Sequence, residues 1–222
     1  MTQDVITDQI DSVTGFPKKQ LSTGQAAHVR VGTISTDAAE DIAAAISAAS
    51  SEVHIGEVGL KIATPTSTTL TRPNDTTAYA VGDLVADNTT AGSVAVKSFT
   101  ASRIATGNGY IDRARLITNK TSGMAAIGMS IRFWSAAPTY TNGDNGAYAV
   151  ATGNASFLGK MTVTAFEQNA DGAVAIATSD TGRGINFSLA SGSTIYWDLQ
   201  INSVLTPAAN QTFILIPEIY QN

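Results

Sequence analysis

The sequence predicts a mainly β protein: an antiparallel β-sandwich, jelly-roll-like, preceded by an extended N-terminal arm and one short α-helix. Beyond residue 51, apolar and polar residues alternate, and Gly, Asn, Asp and Pro turn signals recur at short intervals. This pattern is typical of short strands in two packed antiparallel sheets. No helical period recurs after residue 51, so a parallel sheet built from βαβ units is not expected.

The chain is predicted to divide into three parts. Residues 1–35 form a polar arm, residues 36–51 an Ala-rich helix, and residues 52–222 the β-sandwich body. Single apolar side chains scattered along the arm are suited to docking into grooves of a neighbouring protein. These candidate contact residues are Val5, Ile6, Ile10, Val13, Phe16 and Leu21.

The helix is predicted from its capping pattern and its apolar stripe. Asp37 precedes Glu40 by three residues, which is the spacing of a capping box. Ile42 and Ile46 lie one helical turn apart and form a narrow apolar stripe. A helix this short is marginal in isolation, so we expect it to pack against another surface.

Alternation is clearest in GMSIRFW (128–134) and STIYWDLQI (193–201). Each segment predicts a strand with one buried and one solvated face. The alternation places Trp134 and Tyr196 on the polar faces, where large aromatic side chains favour contacts with partners. The segment FILIPEI (213–219) is apolar on both faces and predicts a central strand that ends at Pro217. The Thr-rich segment STTLT (67–71) predicts an edge strand.

Composition argues against several classes of function. The chain has no cysteine, a net charge of −5 and a pI of about 4.9. These values argue against disulfides, thiolate chemistry and a nucleic-acid partner. The acidic N-terminus MTQDVITDQID does not resemble a secretion signal, and no apolar run is long enough to span a membrane. We therefore expect synthesis in the cytoplasm and no membrane partner.

No catalytic motif stands out, and the sequence favours a protein that is not an enzyme. His28 and His54 are the two histidines, and neither lies in a motif typical of hydrolases. A glycosidase needs two carboxylates, and no spacing selects a pair. The strand-associated candidates are Glu52, Glu57, Asp112, Glu167, Asp198 and Glu218.

Calcium is the metal that the sequence best accommodates, although no cofactor is predicted. TNGDNGA (141–147) and EQNADGA (167–173) group Asn, Asp and Gly as half of a cation loop would. An EF-hand beginning at Asp144 would need a closing Glu at position 155, which is Ala. Ordinary hairpin turns explain the same residues without a ligand.

Four segments together resemble structural proteins of tailed bacteriophages and prophages. They are LTRPNDTTAYAVGDLVADN (70–88), GNGYIDRARLITNKT (107–121), IRFWSAAPTYTNGDNGAYAV (131–150) and the final apolar strand after LTPAANQTFIL (205–215). The shared patterns are turns and strands, and they carry no catalytic residues.

The resemblance implies a capsid decoration or cement protein that binds the major capsid protein on the outer surface of the virion. A homo-oligomer is expected, and a trimer would suit the local three-fold positions of an icosahedral lattice. The alternative is a carbohydrate- or receptor-binding module of a tail tip or fibre. Its candidate stacking residues are Tyr79, Tyr110, Trp134, Tyr140, Tyr148 and Tyr196.

Overall fold

The computed structural model describes Gln9–Ile10, Pro17–Lys18 and residues 61–221. The chain divides into two compact units, Met1–Glu57 and Val58–Asn222. In the first unit, β1 (Gln9–Ile10) and β2 (Pro17–Lys18) pair antiparallel. The predicted helix at 36–51 lies outside the described residues. So do five candidate contact residues of the arm: Val5, Ile6, Val13, Phe16 and Leu21.

The second unit consists of short strands joined by turns and two 3₁₀ segments. Its strands are β3 (Lys61–Ala63), β4 (Leu70–Thr71), β5 (Leu84–Val85), β6 (Lys97–Thr100), β7 (Asn108–Thr118), β8 (Met129–Trp134), β9 (Thr139–Tyr140), β10 (Val150–Thr152), β11 (Phe157–Val163), β12 (Glu167–Asn169), β13 (Gly172–Ser179), β14 (Ile185–Ser188), β15 (Thr194–Ile201) and β16 (Thr212–Gln221). The 3₁₀ segments are Ala91–Ser93 and Asn154–Ser156.

Twelve of these strands form one antiparallel sheet. Its main path runs β3-β16-β7-β13-β11-β8-β15-β5, and β4, β6, β12 and β14 pair with strands of that path. A separate two-stranded sheet joins β9 and β10. The prediction of a mainly β, antiparallel body is confirmed. The two packed layers of a sandwich and the jelly-roll arrangement stay predictions.

Hydrogen bonds at the start of the body connect the two ends of the large sheet. The Ser67 N–H donates to the Leu215 carbonyl of β16 at 2.9 Å. The next residue, Thr68, donates its N–H to the Ser98 carbonyl of β6, also at 2.9 Å. Residues 67 and 68 therefore link β16 to β6, and the sheet curves back on itself.

The curved sheet encloses the main apolar core. In β8, Met129, Ile131 and Phe133 point into this core, as the alternation predicts. The inward side chains of β15 are also those that the sequence predicts: Ile195, Trp197, Leu199 and Ile201. Burial of these large apolar side chains drives the sheet to curve around them.

Pro217 lies inside β16 rather than at its end, so the predicted end of this strand is wrong. β16 pairs with β4 at residues 212–213 and with β3 at residues 219–221. The Leu215 N–H points toward this edge, where it donates to Ser67 Oγ. By alternation the nitrogen of Pro217 faces the same edge between the two pairings. A proline fits there because no ladder bond needs its missing N–H.

A second, smaller apolar cluster covers part of the sheet's outer surface. It contains Leu84, Ala86 and Tyr140, with Tyr148 and Val150 packed against them. These residues come from β5, from the segment that follows it, and from the β9–β10 hairpin. The outward side chains of β8 and β15 are therefore covered near Trp134 and Asp198.

Candidate functional site

The most unusual polar groups of the body are two buried carboxylates, Asp144 and Asp198. Asp144 lies in the turn of the β9–β10 hairpin and is 6% exposed, and Asp198 lies in β15 and is 4% exposed. Burying a charged carboxylate costs free energy unless hydrogen bonds or opposite charges compensate it. The two sites meet this requirement in different ways.

Asp144 accepts hydrogen bonds on both of its oxygens. Arg72 Nη2 donates to Oδ2 at 2.7 Å. The Tyr79 hydroxyl and the Ala86 N–H donate to Oδ1, at 2.5 Å and 2.8 Å. Arg72 Nε also donates to the Tyr79 hydroxyl. These bonds join three parts of the chain: Arg72 directly after β4, Tyr79 and Ala86 on either side of β5, and the turn of the β9–β10 hairpin.

Arg72 is fully buried at the side chain and is held by more than this ion pair. Its Nη1 donates to the carbonyls of Asp75 and Ala208, and its guanidinium lies 4.6 Å from the centre of the Tyr79 ring. Burial disfavours the charged form, but Tyr79 and Asp144 outweigh it and raise the pKa of Arg72. Burial, reinforced by the charge of Asp144, raises the pKa of Tyr79.

The hydrogen bonds of Asp144 bear on the calcium hypothesis. Both carboxylate oxygens are already engaged by protein donors, so neither is free to ligate a cation without breaking a buried bond. In the part of the chain that the structure describes, no group of three or more His, Cys, Asp or Glu side chains could hold a metal ion. Asp144 is a structural anchor of the hairpin.

Asp198 sits in a cage of aromatic donors. Trp134 Nε1 and the Tyr140 hydroxyl each donate to Oδ2 at 2.6 Å, and the Tyr148 hydroxyl donates to the same atom at 3.1 Å. The other oxygen, Oδ1, is buried and has no protein partner. We call these four residues the Asp198 cage.

Burial dominates the protonation of Asp198. It raises the pKa of this carboxyl to about 6, although the hydrogen bond from Tyr140 and the charge of Arg132 act in the opposite direction. Arg132 lies opposite Asp198 in the β8–β15 register and stacks 4.0 Å from the centre of the Tyr148 ring. Burial next to Asp198 also raises the pKa of Tyr140 and Tyr148. The cage therefore holds a carboxyl that takes up a proton slightly below neutral pH.

The structure corrects the predicted position of Trp134. The alternation correctly placed Trp134 on the outward side of β8. Trp134 is nevertheless only 2% exposed, because the β9–β10 hairpin covers it. Its predicted exposure to a partner is therefore wrong. Phe157 packs against the Trp134 ring at 4.9 Å and is 44% exposed, so it presents the accessible aromatic surface there. Tyr196 is half-buried opposite Trp134, and its contact with a partner stays a prediction.

The other aromatic and acidic candidates are dispersed. Tyr79 and Tyr140 are buried, which removes them from a sugar-stacking platform. Glu218 forms an ion pair with Arg113 at 2.8 Å. The candidates His28, His54, Glu52 and Glu57 lie outside the described residues.

A second surface stands out on the outward side of β16, β7 and β13. The register places Ile214, Ile117 and Val174 in one row across β16, β7 and β13. Ile216, Arg115 and Ile176 form the next row. Further along, the Tyr110 and Tyr220 rings stack 4.7 Å apart with an interplanar angle of 9°. The outer apolar face is defined as Tyr110, Ile117, Val174, Ile176, Ile214, Ile216 and Tyr220.

The outer apolar face was not anticipated as a unit from the sequence. Each of its strands shows the alternation of a strand with one buried side. The central outward positions of β16, Ile214 and Ile216, are however apolar as well. That signal is present in FILIPEI, where it indicated only a central strand.

The sequence matches no protein-family model and no curated protein. The described residues include no helix of the length and apolar character needed to cross a membrane.

Replacing Asp144 is expected to destabilise the body strongly. Asp144→Asn removes the buried counter-charge of the Arg72 cation, and breaking a buried pair in this way typically costs about 3–5 kcal/mol. The matched control is Asp75→Asn, because Asp75 is a partly exposed partner 3.7 Å from the same guanidinium. Its loss should cost no more than about 1 kcal/mol. Urea unfolding of both variants measures the difference, and similar losses for the two would contradict the anchoring role of Asp144.

Asp198→Asn is expected to remove a distinctive pH dependence of stability. The pKa of Asp198 is raised from 3.8 to about 6 in the folded protein, so the folded state binds this proton more tightly than the unfolded chain. The contribution of Asp198 is most favourable below about pH 4 and is lost as the pH rises through about 6. The unfolding free energy of the wild type minus that of the variant should fall by about 3 kcal/mol between those conditions.

Asp180→Asn is the control with the opposite sign. Hydrogen bonds from Lys160 and Thr162 lower the pKa of Asp180. The favourable contribution of Asp180 is therefore present above its ordinary pKa and is lost as the pH falls. Urea unfolding at a series of pH values should give a small difference that rises with pH for Asp180, against the fall expected for Asp198. A pH-independent difference for Asp198→Asn would show that this carboxyl keeps an ordinary pKa.

Proposed function

We propose that the protein is a structural, non-catalytic component of a virion: a capsid decoration or cement protein that binds the lattice of the major capsid protein. The observation that carries the proposal is the outer apolar face, an outward and partly accessible side of the sheet on which two neighbouring rows consist mostly of isoleucine and valine. Contiguous apolar surface of this kind is typical of protein–protein contacts.

Two regions of the sheet's outer surface differ in how they are covered, and this difference supports the proposal. Near Trp134 and Asp198, the body covers its own sheet with the β9–β10 hairpin and fixes that cover through buried hydrogen bonds. Across β16, β7 and β13, the outward isoleucines keep part of their surface accessible, and Ile176 is 53% exposed. An uncovered apolar face gains free energy when a partner removes it from water.

Composition fits the same role. Charged residues make up 14% of the chain, whereas an average globular protein has about 25%. A weakly charged surface packs among other subunits with little electrostatic repulsion. We further propose that the curved sheet forms a flattened, sandwich-like body.

The protein is proposed to be a homo-oligomer, with a trimer expected, and to be located on the outer surface of the virion. Apolar residues of the arm add contacts to the shell: Val5, Ile6, Ile10, Val13, Phe16 and Leu21.

A charge placed on the outer apolar face is expected to prevent binding. Ile176→Asp should weaken binding to purified shells of the cognate major capsid protein by at least about tenfold, since the new carboxylate would be desolvated in the contact. Val204→Asp is the matched control, because Val204 is 67% exposed in the loop after β15 and outside this face. Co-sedimentation with the shells measures both variants after circular dichroism has shown that they are folded. Equal binding by both variants would show that the outer apolar face does not contact the capsid protein.

A carbohydrate- or receptor-binding module of a tail tip or fibre is the second candidate. The observation that favours it is the stacked pair Tyr110–Tyr220 at one end of the outer apolar face, where both residues are only partly buried. Aromatic rings of this kind can also stack on sugars. Binding of purified protein to a glycan array would support this candidate.

The number of copies per particle separates the two proposals. Quantitative mass spectrometry of purified virions, with the major capsid protein as the internal standard, is expected to give a copy number comparable to that of the capsid protein. A cement protein needs this ratio because it occupies equivalent sites over the whole lattice. A handful of copies per particle would overturn the cement proposal and favour the tail-tip module.

A further inference from the structure

An exposed arginine, Arg115, lies among the residues of the outer apolar face. It belongs to β7, the middle strand of the three, and the register places Ile216 of β16 and Ile176 of β13 directly beside it. Outward side chains alternate with core residues along β7, so Ile117 is the next outward neighbour of Arg115 on its own strand. The cation is therefore bordered by isoleucine on three sides.

The fourth neighbour, Arg113, already has a counter-charge. Arg113 Nε donates to Glu218 Oε2 at 2.8 Å, and Glu218 is the residue opposite Arg113 in the next row of the sheet. Among the residues that the structure describes, Arg115 has no hydrogen bond and no ion pair. Its charge is therefore available to a group on a partner.

Other arginines of the body differ from Arg115 in their surroundings. Arg72 pairs with Asp144, and Arg132 donates to Gln200 Oε1. Within the described residues, Arg183 is unpaired like Arg115, but it lies in the exposed turn between β13 and β14, where water solvates it. Arg115 combines an unpaired charge with an apolar border.

Docking on the outer apolar face would take Arg115 out of water together with the isoleucines. A guanidinium that loses its water without gaining an acceptor opposes binding. A carboxylate compensates this loss well, because its two oxygens match the planar fork of guanidinium N–H donors. Arginines of this kind are enriched in protein–protein contacts and often dominate their affinity.

We infer that the partner of the outer apolar face is a protein surface that places the carboxylate of an Asp or Glu, surrounded by apolar groups, opposite Arg115. The inference rests on the proposed function, because it names the chemistry of the surface that the cement protein contacts. Arg115 donates to the carboxylate, and Ile176 and Ile216 pack against the apolar groups around it. Arg115 thereby disfavours apolar surfaces that lack an acid at this position.

The charges of the chain favour a protein carboxylate over a surface of phosphates. The chain has a net charge of −5, and Glu218 lies in the row next to Arg115. Anionic membranes and nucleic acids are bound by clusters of several cations, whereas one carboxylate needs one guanidinium.

Arg115→Gln tests the inference, because it removes the charge and keeps a polar side chain. Co-sedimentation of the full-length protein with shells of the cognate major capsid protein should weaken by at least about thirtyfold, since the carboxylate loses its partner in the contact. Arg183→Gln is the matched control. It removes an exposed cation outside the face and should bind as the wild type does. Both variants should unfold in urea at the wild-type midpoint, because neither side chain is bonded within the described body.

Shells whose surface carboxylates have been converted to methylamides test the partner's side of the contact. Amidation should weaken wild-type binding to the level of Arg115→Gln and leave the binding of Arg115→Gln unchanged, because both changes remove the same pair.

The outcomes separate this inference from the proposed function. Equal binding of the wild type and Arg115→Gln to untreated shells would overturn the inference and leave the cement role intact. Shells that bind no wild-type protein would overturn the proposed function, and the inference with it. Wild-type binding to vesicles of phosphatidylcholine and phosphatidylglycerol that is lost in Arg115→Gln would overturn the inference in favour of a phosphate surface.

Discussion

The ion pair between Arg72 and Asp144 is the interaction on which the arrangement of the body's outer layer depends. It is buried at both ends, and it joins the residue after β4 to the turn of the β9–β10 hairpin. A guanidinium and a carboxylate can remain buried only if each keeps the other and its remaining hydrogen bonds. Tyr79 and Ala86 supply those bonds and draw the segment around β5 into the same cluster. The hairpin is therefore held over β8 and β15 in one position.

The second buried acid depends on that position. Tyr140 and Tyr148, two of the three donors to Asp198, are contributed by the hairpin that Asp144 anchors. The two carboxylates nevertheless differ in the groups that compensate their burial. Asp144 faces a full positive charge with donors on both oxygens, whereas Asp198 receives neutral donors on one oxygen. Burial consequently raises the pKa of Asp198 to about 6. The Asp144 carboxylate instead pairs with the buried Arg72 guanidinium at 2.7 Å.

The sequence predicts this fold through short-range patterns and fails where distant segments meet. Alternation identified the inward side chains of β8 and β15 and the right side for Trp134. It did not show that a hairpin covers that side, because the contact joins Tyr140 to a residue 58 positions away. Arg72 and Asp144 are 72 positions apart, and neither residue type marks a buried pair. The prediction that β16 ends at Pro217 failed for a similar reason. A proline interrupts a strand only where the neighbouring strand needs a backbone N–H, which proline lacks.

The same physical argument separates the part of the body that is committed to its own stability from the part available to a partner. On the side covered by the β9–β10 hairpin, the polar groups form buried hydrogen bonds. A partner that displaced the hairpin would break these bonds and leave Arg72, Asp144 and Asp198 without their partners. Among the residues that the structure describes, the outer apolar face has no comparable network, apart from the exposed Arg113–Glu218 pair. Covering its isoleucines costs no buried hydrogen bond and removes apolar surface from water. A docking partner therefore gains most on β16, β7 and β13, which is where the structural role proposed for this protein places the contact.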